Sequence, residues 1–140
     1  MHTYNYKMTS GPYGIFITIV GDLAKPQDCD CLEKVTDSIM VSFEPGVVVC
    51  NEKLCFEDQF SIKKAIQMID KYCKHKSNDV IAIRINSIQY NQCDFQQNGL
   101  IAAMICFCKE LLLLECSDVV SWYDTVSHRY EFSFEGQLIE

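Results

Sequence analysis

The sequence predicts a single domain of the α+β class, in which two main helices pack on a largely antiparallel sheet. Extended segments come mostly in pairs and alternate only loosely with two helical segments, which favours this class over an α/β fold with a parallel sheet. The 140 residues suit one hydrophobic core. Apolar residues make up 49% of the chain and charged residues 22%, which excludes a disordered acidic tail. We therefore interpret residues 1–140 as one domain.

The first element is predicted to be a buried strand. Residues 13–20, YGIFITIV, are mainly β-branched and aromatic, and the Gly21 and Asp22 that follow predict a turn. Residues 23–37 follow neither the helical nor the strand period, and they contain Pro26. We expect them to form an exposed loop with one short helical turn.

A hairpin is predicted next. Residues 38–43 (SIMVSF) and 47–50 (VVVC) both have an extended character. Glu44, Pro45 and Gly46 between them are residue types that reverse a chain tightly. The sequence therefore predicts two antiparallel strands here.

An amphipathic helix is predicted from Glu57 onwards. Acids at its start and bases at its end complement a helix macrodipole. Its apolar stripe has spacings of four, three and four residues and consists of Ile62, Ile66, Ile69 and Cys73. Residues 80–85 (VIAIRI) then predict a strand with one fully apolar face.

The second helix is predicted to begin near Asp94. Asp94 and Gln97 have the spacing of a capping box, and Asn98 is an alternative cap. Residues 99–108 form an uncharged run of ten residues, whereas a membrane span needs about 20. A helix that is apolar on nearly all sides belongs in a core, so we expect a buried helix and no membrane association.

Two more strands are predicted at the end of the chain, over residues 119–126 and 129–135. In the second, Tyr130, Phe132 and Phe134 alternate with polar residues. This alternation is typical of a half-buried strand, and we expect it at an edge of the sheet.

Nine cysteines would indicate a disulfide scaffold in a secreted chain. Residues 1–14, however, lack the basic and then apolar pattern of a signal peptide. We expect reduced thiols and a cytoplasmic protein. The cysteine pairs miss the common zinc spacing, and no phosphate-binding loop is present, so we expect no metal and no other cofactor.

A small thiol-dependent enzyme is one alternative function. A nucleophilic cysteine needs a nearby imidazole and a third group that orients the ring. Cys93, Asp94 and His128 are the one set that the predicted elements allow, and no known nucleophile signature surrounds Cys93. We therefore expect no catalytic residue and no enzyme.

Charge divides the chain into three parts. Residues 21–58 hold nine acids and three lysines, residues 59–109 hold seven bases and three acids, and residues 110–140 hold seven acids and one arginine. Such acidic blocks attract a basic partner and repel phosphates, so we expect no nucleic acid to bind. The simpler alternative is that a net charge of −7 keeps the protein dispersed in solution.

Residues 86–111, NSIQYNQCDFQQNGLIAAMICFCKEL, have a pattern in which a strand ends, Asp-aromatic-Gln opens a helix, and Gly-Leu begins its buried part. Together with the acidic, single-domain character of the chain, this pattern resembles the bacterial immunity proteins of contact-dependent growth inhibition and related toxin systems. The resemblance implies a protein that binds and neutralises a toxin domain, often a nuclease, without turnover. An interaction adaptor of a phage or virus is a further alternative.

The resemblance transfers no particular binding residues, so the predicted contact surface depends on charge and on aromatic anchors. Binding energy concentrates in a few aromatic or arginine side chains, and Trp122, Tyr123 and Phe43 are candidates, with a core position as the alternative for Trp122. The predicted partner-binding residues are Asp22, Asp28, Asp30, Glu33, Asp37, Asp118, Trp122, Asp124, Glu131 and Glu135.

Overall fold

A computed structural model of the chain describes residues 1–29, 31–43, 48–49, 52–73 and 79–140. Short 3-10 turns lie at Pro26–Asp28 and Gln92–Asp94. The strands and helices are β1 (His2–Met8), β2 (Ile15–Ala24), β3 (Leu32–Lys34), β4 (Ile39–Phe43), β5 (Val48–Val49), β6 (Glu52–Lys53), α1 (Phe56–Cys73), β7 (Ile81–Tyr90), α2 (Gln97–Leu111), β8 (Val120–Asp124), β9 (Arg129–Phe134) and β10 (Gln137–Leu138). The predicted α+β class is confirmed.

The main sheet has the strand order β1-β2-β7-β4-β3, and the short strands β5 and β6 extend it beside β7. The pairs β1–β2, β2–β7 and β3–β4 are antiparallel. The pairs β4–β7 and β5–β7 are parallel. The sheet is therefore mixed at its centre, around β7.

The hairpin predicted within residues 38–50 is wrong. Phe43 lies opposite Ile85 and Val49 lies opposite Ile88, and both pairings are parallel to β7. Strands β4 and β5 thus run in the same direction along one side of β7, because this long apolar strand offers backbone partners to both. The predicted turn, residues 44–46, lies outside the described residues.

The turn predicted at Gly21 and Asp22 is also wrong, because β2 continues through both residues. The register between β2 and β7 shifts between Val20 and Gly21, which marks a β-bulge. A Cβ atom on Gly21 would lie 2.4 Å from the carbonyl oxygen of Arg84 and 3.1 Å from a ring carbon of Phe107. Glycine is needed here because the two backbones approach too closely for any side chain.

Helix α2 is the buried helix that the sequence predicts. It contacts β1 and β2 of the main sheet and β9 of the second sheet, and it packs beside α1. The small sheet packs on α2 and also directly on β1, where the rings of Tyr6 and Phe132 lie 6.3 Å apart. Among the described residues, no helix is both long and apolar enough to cross a membrane.

The predicted capping box of α2 is wrong. Asp94 belongs to a 3-10 turn, and the residue at the N-cap position is Gln96, whose side chain makes no capping hydrogen bond. The side-chain amide of Gln97 instead donates to Asp58 Oδ1 (3.0 Å) and to Ser61 Oγ (2.8 Å) on α1. Asp58 is buried and also accepts from the Tyr90 hydroxyl at 2.8 Å. The Gln97 side chain is therefore engaged in tertiary hydrogen bonds to α1 and does not complete a capping box.

The small sheet has the order β10-β9-β8, and the predicted final hairpin is confirmed as β8 and β9. Strand β9 lies in the middle of the sheet and not at an edge, because β10 pairs with its other side. The buried face of β9 consists of Tyr130, Phe132 and Phe134. The Tyr130 hydroxyl accepts from the Gly11 backbone N–H (2.7 Å) and donates to the Tyr13 carbonyl (2.6 Å), which fastens the small sheet to the loop between β1 and β2.

Candidate protein-binding surface

The candidate site is the face of the small sheet that points away from α2. Because Tyr130, Phe132 and Phe134 point into the core, the residues that alternate with them on β9 point outward. Their cross-strand partners on β8 and β10 share that side of the sheet. This outward face consists of Val120, Trp122, Asp124, Arg129, Glu131, Ser133 and Leu138.

Large apolar side chains are exposed on the outward face. Val120 is 58% exposed, Trp122 41% and Leu138 49%. Val120 and Leu138 lie on either side of Ser133 in the sheet, and Trp122 follows two residues after Val120 on the same strand. Exposed apolar side chains grouped in this way make the outward face a candidate interaction site.

Two carboxylates lie beside Trp122 on this face. Asp124 accepts hydrogen bonds from the Val126 backbone N–H (3.1 Å) and from Ser127 Oγ (2.9 Å). Glu131, directly opposite Trp122, has Oε1 3.5 Å from the same Ser127 oxygen. The hydrogen bond from Val126 and then that from Ser127 lower the pKa of Asp124, so its charge is secure at neutral pH. Both groups that donate these hydrogen bonds to Asp124 are uncharged.

Glu135 and Asp118 lie at the border of the outward face. Glu135 has a positive φ of 51° and accepts from the Ser117 backbone N–H at 2.7 Å, and this hydrogen bond lowers its pKa. Asp118 forms an exposed ion pair with Lys109, and the hydrogen bond to Asp118 raises the pKa of that lysine. Among the described ion pairs, Asp118 therefore has a basic partner in direct contact and Glu135 has none.

The acids of the first acidic block lie elsewhere. Asp22 lies on the face of the main sheet opposite the helices, because its partner Arg84 lies between the buried Ile83 and Ile85. Arg84 donates to both carboxylate oxygens of Asp22, at 3.0 Å and 2.8 Å, and the pKa of Asp22 is lowered, chiefly by these hydrogen bonds. Asp22 and Trp122 thus lie on different sheets.

Two more of the predicted acids lie at or just beyond the β3 edge of the main sheet. Glu33 forms an ion pair with Lys63 of α1, and Asp37 forms one with Lys34 at 3.2 Å. Asp28 is exposed in the first 3-10 turn, and Asp30 lies outside the described residues. The structure therefore brings Trp122, Asp124 and Glu131 together but places Asp22, Glu33 and Asp37 apart from them.

The three aromatic anchor candidates have different surroundings. Tyr123 points inward, where its ring meets those of Tyr13 and Tyr130 at centroid distances of 5.8 Å and 5.3 Å. Phe43 is partly buried against the core. The core position considered for Trp122 is wrong, since the alternation along β8 turns its side chain outward.

The residues of the alternative thiol site do not form a catalytic arrangement. Cys93 and Asp94 are exposed in the second 3-10 turn, while His128 lies in the β8–β9 turn with a positive φ of 57°. Among the described hydrogen bonds, none joins His128 to the thiol of Cys93.

Three partly or fully buried thiols are also unsuited to nucleophilic attack. Burial raises the pKa values of Cys106, Cys108 and Cys116, so these thiols stay protonated at neutral pH. In the described part of the chain, no three His, Cys, Asp or Glu side chains converge as metal ligands.

Comparison with models of known protein families finds none that matches this chain. Comparison with curated proteins likewise finds no significant match.

Proposed function

We propose that this protein is an immunity-type inhibitor that binds a basic toxin domain, a nuclease, with its outward face and neutralises it by stoichiometric binding in the cytoplasm. The observation that carries the proposal is the exposure of Trp122, the single tryptophan of the chain, beside two carboxylates that form no ion pair with any described residue. Aromatic anchors surrounded by polar residues are the usual centre of a protein interface.

Charge supports a basic partner. Residues 110–140 hold seven acids and one arginine, and the small sheet and its border lie within this segment. A nuclease needs a positive surface to hold phosphates. An acidic face that covers such a surface is attracted to it over a distance and gains a fast association rate.

The arrangement of the outward face supports binding without turnover. Its apolar residues supply area to bury, and its acids form the polar border. The resemblance of residues 86–111 to immunity proteins of toxin systems agrees with an inhibitor of this type.

The test is calorimetry with the basic toxin domain encoded beside the gene for this protein. We expect a one-to-one complex that weakens as salt is raised from about 50 to 300 mM, because exposed charges are screened. Trp122→Ala should weaken binding about 10-fold or more, as for a central aromatic anchor.

Phe16→Ala is the matched control for Trp122→Ala. Phe16 is an exposed aromatic residue on the main sheet, 46% exposed compared with 41% for Trp122, and lies away from the outward face. It should leave the affinity within about 2-fold. The proposal fails if the toxin domain does not bind at low salt, or if the two variants weaken binding equally.

A further inference from the structure

We infer, on the basis of the proposed function, that the partner inserts an arginine side chain that stacks on the indole of Trp122 between the carboxylates of Asp124 and Glu131. An arginine guanidinium is flat, stacks on aromatic faces and donates in a fork that matches carboxylate oxygens. The outward face presents an aromatic ring and both acids on the same side of two adjacent strands.

The positions of the three side chains follow from the sheet register. Glu131 lies directly opposite Trp122, where cross-strand Cβ atoms are about 5 Å apart. Asp124 lies two residues after Trp122 and therefore on the same side of β8. Ser127 Oγ is 2.9 Å from an Asp124 oxygen and 3.5 Å from a Glu131 oxygen, so both carboxylates converge on one hydroxyl group.

The protein's own arginine leaves these carboxylates available. Arg129 lies opposite Asp124 in the sheet, but among the ion pairs of the described residues none joins Arg129 to Asp124 or Glu131. An arginine from the partner would therefore meet acids whose charge is not already paired.

Arginine should be preferred to lysine at this site. A guanidinium is more weakly hydrated than an ammonium group, so stacking it on a partly exposed ring costs less water. It also donates to two carboxylates at once, whereas lysine acts as a point charge. Cation–π contacts at exposed sites correspond to about a 3-fold gain in affinity.

The experiment is a fluorescence titration of the intact protein with a hexa-arginine peptide and, separately, with a hexa-lysine peptide. Trp122 is the single tryptophan of the chain, so the emission reports directly on the site. We expect a saturable change with hexa-arginine and binding about 3-fold tighter than that of hexa-lysine. Equal affinities for the two peptides, or no change in emission with either, would overturn the inference.

Glu131→Gln and Asp124→Asn are the site variants, and Glu33→Gln is the matched control. Each substitution removes one negative charge. Glu33 lies on the edge strand β3 of the main sheet, away from the outward face, and forms an ion pair with Lys63. We expect each site variant to weaken hexa-arginine binding about 3-fold to 10-fold and the control to leave it within about 2-fold. Equal effects of Glu131→Gln and Glu33→Gln would mean that only net charge matters and would also overturn the inference.

The two proposals fail in different ways. If the toxin domain binds through Trp122 but the arginine preference is absent, the inhibitor function stands and the arginine anchor is wrong. If hexa-arginine binds selectively but the toxin domain does not bind, the guanidinium site stands and the proposed function is wrong.

Discussion

The acids of the main sheet and those of the outward face are held by different kinds of partner. Asp22, Glu33 and Asp37 each form an ion pair with an arginine or a lysine. Asp124 accepts from a backbone N–H group and from the Ser127 hydroxyl, and Glu131 lies 3.5 Å from the same hydroxyl oxygen. In the first group the negative charge is balanced within the fold, and in the second it is directed outward.

This difference shows that the acidic content of a segment does not measure the charge it offers to a partner. Residues 21–58 contain nine acids, more than residues 110–140, yet three acids of the first block, Asp22, Glu33 and Asp37, form ion pairs with bases. What matters is whether the fold places a base opposite each acid, and this depends on strand register and helix packing.

The largest expected effect is on the free energy of unfolding, and it tests whether the small sheet is firmly packed on the rest of the protein. Phe132 is fully buried and its ring lies 6.3 Å from that of Tyr6, so Phe132→Ala should lower the free energy of unfolding by about 3–5 kcal/mol. The control is Ser133→Ala on the outward face, with a change of about 0.5 kcal/mol or less. Urea unfolding measures both. A loss below about 1 kcal/mol for Phe132→Ala would show that the small sheet is only loosely attached.

The two arginines of the chain give the second test. Arg84→Ala removes a double hydrogen bond to Asp22 in a partly buried pair and should cost about 2 kcal/mol of unfolding free energy. Arg129→Ala removes no ion pair with a described residue and should change stability by about 0.5 kcal/mol or less. Equal losses for the two variants would contradict the difference between the two regions.

The same two variants distinguish effects on stability from effects on binding. Arg129 is the one base on the outward face, so Arg129→Ala should strengthen binding of a basic partner, by about 2-fold at low salt. Arg84→Ala should leave that affinity unchanged. Calorimetry with the toxin domain or with hexa-arginine measures both effects.

The smallest expected effect is a change in pKa. Arg84 lowers the pKa of Asp22, while the Val126 amide and then the Ser127 hydroxyl lower that of Asp124. Carbon-detected NMR titration should therefore show the Asp22 pKa rising toward its ordinary value in Arg84→Ala alone. The Asp124 pKa should rise only partly in Ser127→Ala, because the amide remains. If either variant moved the other carboxyl group instead, the assignment of partners would be wrong.

The dependence of stability on pH follows from the sign of the Asp22 shift. A lowered pKa in the folded state means that the ion pair stabilises the protein fully above the unfolded value of about 3.9. That contribution is lost as the pH falls through the lowered folded value. The stability of Arg84→Ala should therefore approach that of the parent protein at low pH.

The elements most readily predicted from the sequence were those with a long, regular period. The stripe from Ile62 to Cys73 defines α1, and the alternation of Tyr130, Phe132 and Phe134 defines β9. The strand β1 was missed although Tyr4, Tyr6 and Met8 alternate with polar residues in the same way. Strands β3 and β10 are too short to show any period, so they could not be predicted from the sequence pattern alone.

The local sequence pattern could not predict which strands pair with each other or which side chains form hydrogen bonds between helices. Pro45 and Gly46 suggest a reversal, but β4 and β5 pair with β7, which lies more than thirty residues further on in the sequence. Gln97 fits a capping box, but Asp58 and Ser61 on α1 take its side chain.

The candidate surface was predicted in part. Trp122, Asp124 and Glu131 were among the residues expected to bind a partner, and strand alternation from the buried Phe132 would have placed Trp122 and Glu131 on one side. Which acids have basic partners could not be predicted, because Arg84 meets Asp22 across two strands that are far apart in the sequence. Ser127 and the exposed Leu138 were not considered.

The central position of β7 has a consequence for how the chain acquires its structure. Ile17 lies opposite Tyr90 and Ile39 opposite Ile81. Strands β2 and β4 therefore cannot pair with β7 until β7 has been synthesised. Closing such long loops costs chain entropy before the stabilising strand contacts form, so folding is slow. A topology of this kind has a high contact order. On the ribosome the emerging apolar strands stay exposed until residue 90 leaves the exit tunnel, which makes this interval the one in which chaperones would protect the nascent protein.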